Sequence, residues 1–126
     1  KMRKKLPARR RAESFRIDTP TQRFLCTAGF DDKSGDLQEL FFTDRARVGS
    51  GLDDVLYDLG VLASLALQYG VDRTDLLSSL CKDETGKAAS PIGQALEKVE
   101  EIEKEHKGTL QMLASLYGRV DDKTSL

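Results

Sequence analysis

Residues 50–70 read SGLDDVLYDLGVLASLALQYG, and the spacing of their apolar side chains decides the fold class. Leu52, Val55, Leu56, Leu59, Leu62, Ala63, Ala66 and Leu67 fall on one side of a 3.6-residue period, an apolar face sustained for roughly four turns. Ser50 suits the N-cap and Asp53 sits three residues later, close to a capping box. Asp53 and Asp54 also match the positive end of the helix dipole. Val61, Leu65 and Tyr69 widen the face in the second half, and Gly70 supplies the stop. This pattern predicts a long central helix.

Upstream of it the period is two. Ser14 to Asp18 alternates polar and apolar, and Thr19-Pro20-Thr21 reads as a turn. Phe24, Cys26, Ala28 and Phe30 alternate along a second strand. Asp31 to Asp36 is rich in turn residues, with Gly35 able to supply a positive φ. Leu37 to Thr43 makes a third strand around Leu40, Phe41 and Phe42. Strands joined this closely form an antiparallel meander.

Downstream, a second helix is expected from Asp72 as N-cap, with Leu76, Leu77, Leu80 and Cys81 turned inward. Lys82 to Ala89 reads as a polar loop. Ser90-Pro91 then starts a third helix, with Ile92, Ala95, Leu96, Val99 and Ile102 as its buried stripe. Glu100–Lys104 and Glu103–Lys107 are i,i+4 pairs that support its exposed end. Gly108 is expected to interrupt, Leu110, Leu113, Leu116 and Tyr117 form a further amphipathic stretch, and Asp121 to Leu126 frays. The expected fold is therefore α+β: a three-stranded antiparallel β-meander, a long central helix, and two to three further helices. Residues 1–12 are read as a basic arm, 13–106 as the α+β domain, and 107–126 as a C-terminal amphipathic extension with a frayed tail.

At 126 residues the chain fits one domain. Its longest near-apolar run, Val61 to Leu67, is far short of the ~20 residues of a membrane span. No membrane association and a cytoplasmic location are expected. The net charge of −1 hides an asymmetry, because Lys1, Arg3, Lys4, Lys5, Arg9, Arg10 and Arg11 put +7 into residues 1–11. Taking these seven from the 20 basic residues leaves 13 against 21 acids, an acidic body of −8. Such an arm reads either as a nucleic-acid or phosphate contact, through Arg3, Lys4, Lys5, Arg9, Arg10 and Arg11, or as a segment that folds onto its own acidic body.

Cys26 and Cys81 stand 55 residues apart, in no metal or dithiol motif, and both are expected in the core. Gly49-Ser50-Gly51, opening the main helix, is the candidate anion or nucleotide site, with Arg45 and Arg47 just upstream as partners. Glycine and serine are equally what an ordinary strand-to-helix turn requires. Gly86-Lys87 is followed by Ala88 rather than Ser or Thr, so it fails as a phosphate loop. The single histidine, His106, shares a Glu-x-x-His spacing with Glu103, but the run Glu-Lys-Glu-His-Lys reads as a solvated face. No catalytic residue, metal or cofactor is expected.

The run Ala46 to Gly51, followed by Leu59-Gly60-Val61-Leu62-Ala63-Ser64-Leu65-Ala66-Leu67-Gln68-Tyr69-Gly70-Val71, resembles the small TSCPD-type domain near the C-terminus of adenosylcobalamin-dependent (class II) ribonucleotide reductases. Leu6 to Arg10 and Ser90 to Val99 resemble stand-alone bacterial relatives of that domain. The similarity spans about residues 3–100. The family's Thr-Ser-Cys-Pro-Asp signature stands here as Ala89-Ser90-Pro91-Ile92, without its cysteine. The resemblance implies a shared fold and reductase-linked or nucleotide-linked biology. A ribonucleoside-diphosphate reductase label would follow from the family name, but the catalytic barrel has no room in this length. The function expected is a non-catalytic accessory or interaction module, binding a protein partner (reductase-related, or a second copy) or a nucleotide. The sheet edges and the apolar C-terminal stretch are its expected contact surfaces. Nucleic-acid binding through the basic arm is the alternative.

Overall fold

A computed structural model describes residues 2–7, 10–19, 23–42 and 51–124, with residues 51, 52, 106 and 118–124 given by their backbone alone. Three strands come first: β1 (Arg11–Asp18), β2 (Arg23–Phe30) and β3 (Leu37–Phe42). Three helices follow: α1 (Gly51–Gln68), α2 (Arg73–Ser79) and α3 (Pro91–Thr124). The sheet is antiparallel in the order β1-β2-β3. The α+β meander read from the alternation is therefore present.

Register follows from which face is buried. Ile17 pairs with Phe24, Cys26 with Phe42, Ala28 with Leu40 and Phe30 with Leu37. Every one of these side chains is buried, so the period-2 pattern places one continuous apolar ladder on the core face. Phe24 and Phe42 meet edge to face, with ring centroids 6.2 Å apart. Between Gly29 and Phe30 the pairing slips, from Gly29↔Glu39 to Phe30↔Leu37. Gln38 is thus the extra residue of a β-bulge, which keeps Leu37 in the core while turning the neighbouring backbone out of the ladder.

β3 is an edge strand, and helices cover its outer edge. The Leu40 amide donates to Ser64 Oγ at 2.9 Å, and Gln68 Nε2 donates to the Gln38 carbonyl at 3.1 Å. The Leu37 amide donates to Glu103 Oε2 on α3 at 2.8 Å. The Ser64 hydroxyl lies 2.7 Å from the Gly60 carbonyl, closing the contact on its own helix. α1 comes so near that a Cβ at Gly60 would sit 2.7 Å from the Leu40 carbonyl oxygen. Side chains thereby satisfy strand groups that would otherwise template another chain. The expectation that this sheet edge is a contact surface is corrected for β3.

The same packing corrects the helix reading. Among the described side chains of α1, Leu56, Gly60, Ala63, Ser64, Leu67 and Gln68 are buried, whereas Val55 and Leu62 face outward, Leu62 by 62%. Ser64 and Gln68 displaced them because an edge strand needs hydrogen-bonding partners as well as apolar cover. α2 is shorter than the pattern implied and has no fully buried residue, although Leu76, Leu77 and Leu80 pack on the core in part. Asp72 occupies the N-cap position without a side-chain cap bond. Cys81, expected inside, is exposed, because α2 ends at Ser79 and Leu80 turns extended.

Ser90 caps α3 as predicted, its Oγ accepting from the Gly93 amide at 3.2 Å. Ile92, Ala95, Leu96 and Val99 are buried and Ile102 is partly so. No break occurs at Gly108. α3 runs 34 residues, ~51 Å at ~1.5 Å per residue, because nothing forces the glycine out of helical geometry and Lys107 and Leu110 clamp its turn over the β2–β3 hairpin at Gly35. Among the described residues no helix is long and apolar enough to cross a membrane.

Candidate functional site

The start of β3, the end of α1, the α1–α2 turn and α3 enclose a cleft of about 370 Å³. Gly70, at φ 101, lets the chain leave α1 and turn at once into this wall. Arg73, the first residue of α2, reaches across it, with a side chain only 10% exposed. Its Nε donates to Glu103 Oε1 at 3.3 Å. Glu103 thus holds both Arg73 and the Leu37 amide, tying α2, α3 and β3 together. Lys107, one turn on, pairs with Asp36 at 2.7 Å and lies 4.0 Å from Glu103. Its ammonium pKa is raised, first by the hydrogen bond to Asp36 and then by the charges of Asp36 and Glu103.

Two polar atoms of this wall lack a partner. Arg73 Nη1 is buried with none, and so is Gln38 Oε1, although Gln38 Nε2 donates to the Leu37 carbonyl at 2.9 Å. Unpaired buried polar groups cost about 1–3 kcal/mol each, so two in one cleft are an expense the fold tolerates there. Glu103 was read as part of a solvated face and is instead buried; the i,i+4 pair it forms with Lys107 belongs to the cleft rather than to an exposed end. The side chain of His106 lies outside those described. Among the described residues no group of three or more His, Cys, Asp or Glu side chains is placed to hold a metal ion.

The basic arm lies on the body. The Lys4 amide donates to the Gln68 carbonyl at 2.8 Å, and Arg3 Nε to Gln68 Oε1. Lys4 Nζ pairs with Asp31 at 2.6 Å. Arg10 forks onto both Glu39 oxygens and reaches the Pro7 carbonyl. Its pKa is raised, chiefly by the hydrogen bond to Glu39, and that of Asp31 is held well below the usual carboxylate range, chiefly by Lys4. Arg3, Lys4, Lys5 and Arg10 line a second hollow of about 430 Å³ with Glu39 and Gln68, and Arg11 already belongs to β1. Arg9 lies outside the described residues.

The candidate anion turn cannot be placed against either hollow. Arg45, Arg47, Gly49 and Ser50 are outside the described residues, and Gly51 is the first residue of α1. Thr19-Pro20-Thr21 and Ala46 to Val48 are outside them in part or whole. Cys26 is fully buried, and burial pushes its thiol up to about 12, which keeps it protonated and unreactive.

Sequence reasoning missed Arg73 and Gln38. Neither stands in a motif; only the bulge, invisible in the alternation, brings Gln38 beside the start of α2. A third surface was legible in outline. Beyond the clamp at Gly35, α3 carries Met112, Leu113, Leu116 and Tyr117 exposed, the last two by 58% and 63%. No family model, curated protein or solved structure matches the chain.

Proposed function

We propose that this chain is a non-catalytic accessory module that docks on a protein partner through the outer half of α3. The observation that carries this reading is the continuation of that helix, with large apolar side chains in solvent, past the point where the core ends. Short helices without tertiary packing are marginal in water, so an apolar face sustained there favours a role in association. Between residues 107 and 119 the sequence holds Lys107 and Arg119 and no acid, which suits a partner groove with an acidic rim. The resemblance to a reductase C-terminal domain supports a reductase-linked partner, or one in nucleotide metabolism.

The test is the variant Leu113→Lys/Leu116→Lys. Cross-links from the wild-type protein in its native cell should map to residues 110–117 on one reductase-related protein, and vanish in the variant with the melting temperature unchanged. Capture unaffected by both lysines would sink the reading. A dimer by light scattering that the variant dissociates would replace the reductase-linked partner with a second copy; Val55 and Leu62, seven residues apart and exposed on α1, with Tyr69 exposed in the turn just past its end, are where that copy would be sought. The alternative, nucleic-acid binding by the arm, requires Arg3, Lys4 and Arg10 to leave Gln68, Asp31 and Glu39. It calls for steeply salt-dependent binding that is lost when residues 1–11 are removed.

A further inference from the structure

We propose that the cleft between the start of β3, the α1–α2 turn and α3 binds a small molecule, uncharged or zwitterionic overall, that presents a hydrogen-bond acceptor beside an N–H donor. A free amino acid, a primary amide and the edge of a nucleobase share that chemistry. The two unpartnered atoms set it: Arg73 Nη1 can only donate and Gln38 Oε1 can only accept. Each residue is already held by its other end, Arg73 through Nε to Glu103 and Gln38 through Nε2 to the Leu37 carbonyl. Little ordering is left for a ligand to impose, which is the usual arrangement of a preorganised site. Burial points the same way, since Gln38 is 7% exposed and the Arg73 side chain 10%.

Charge limits the class. The ionisable side chains around the cleft are Arg73 and Lys107 against Asp36, Asp72 and Glu103, a surplus of one acid. Both cations already face carboxylates, at 3.3 Å for Arg73–Glu103 and 2.7 Å for Lys107–Asp36. A di- or triphosphate would meet that surplus, whereas a neutral or zwitterionic ligand leaves the pairs intact. A cavity of about 370 Å³ falls at the lower end of the range that accepts small organic ligands, roughly 300–1,000 Å³. The bulge at Gln38 fits the same role, because bulges recur where a strand must re-aim one side chain beside a site.

The experiment titrates the whole chain, labelled with ¹⁵N, with L-glutamine, adenosine and inorganic phosphate as three separate probes. Saturable shifts confined to the amides of residues 36–38, 70–74 and 103 are expected with glutamine or adenosine and not with phosphate; which of the two acts identifies an amino-acid or a nucleobase ligand. Gln38→Met should weaken that binding at least tenfold with little change in melting temperature, since it removes an unmet buried acceptor together with the Nε2 bond to the Leu37 carbonyl, two opposing effects of similar size. Arg73→Met should do the same to binding; because it also takes the guanidinium away from the buried Glu103, Gln38→Met decides the matter if that variant unfolds. The Leu113→Lys/Leu116→Lys protein should bind the probes as wild type does, so a failure of docking leaves this site standing. No shift with either organic probe, shifts with phosphate alone, or unchanged binding by Gln38→Met would overturn the proposal.

Discussion

Gly60 sits where α1 crosses the edge of β3, and its lack of a side chain sets how near the two approach. A methyl there would lie 2.7 Å from the Leu40 carbonyl oxygen, closer than real contacts allow, and the obstacle is backbone rather than a flexible tip. Gly60→Ala should therefore push helix and strand apart, loosening the Ser64 and Gln68 bonds together. We expect a loss of about 2 kcal/mol, read as a fall of roughly 8 °C in melting temperature. An unchanged melting curve would show that the helix can shift without cost. Periodicity could not single this glycine out, since it ranks side chains by polarity and has no measure of approach distance. Ser64 and Gln68 were illegible for the same reason: polar residues on a helix read as outward until a strand edge needs them.

Elements show a different balance. The strands, their order and their inward residues were legible because alternation directly records which face meets the core, and Phe24, Cys26, Ala28 and Phe30 are all buried. The start of α3 was equally plain, since Ser90 and Pro91 act locally. Its end was misjudged at Gly108, because glycine lowers helix propensity without forbidding the conformation. A Cβ at Gly108 would meet no atom within 4 Å. Gly108→Ala should consequently stabilise the protein by about 0.5–1 kcal/mol, raising the melting temperature by roughly 3 °C in a calorimeter. A decrease would mean that α3 bends at this point in solution.

For the whole molecule, part of the charge asymmetry of the sequence resolves into intramolecular pairing, Lys4 with Asp31 and Arg10 with Glu39. Lys4 and Asp31 join the arm to the β2–β3 hairpin, where Ser34 Oγ also donates to Asp31 at 2.8 Å. Asp31 has its folded pKa lowered, first by the Lys4 hydrogen bond and then, against the opposing effect of burial, by Ser34. A depressed carboxylate pKa contributes stability that is complete above the unfolded value, about 3.9, and is lost as pH falls toward the folded one. Urea midpoints of wild type and Asp31→Asn should accordingly differ at about pH 6 and converge as pH drops below about 4. A gap that stays undiminished from about pH 6 to about pH 2.5 would assign the effect of the substitution to something other than this charge. Removing Lys4 should flatten the same window.

By itself the sequence determined the fold class, the strand faces, the α3 cap and the existence of a basic arm opposite an acidic body. Those features depend on local periodicity, on capping chemistry or on composition, and all three are written along the chain. Tertiary structure alone decided which face of α1 is buried, that helices cover the outer edge of β3, and that Glu103 joins Arg73 instead of facing solvent. It also decided the cleft, because Gln38, Arg73 and Glu103 are far apart in sequence and converge only once the bulge turns β3 and Gly70 turns the chain back. A contact between distant residues leaves no period to read.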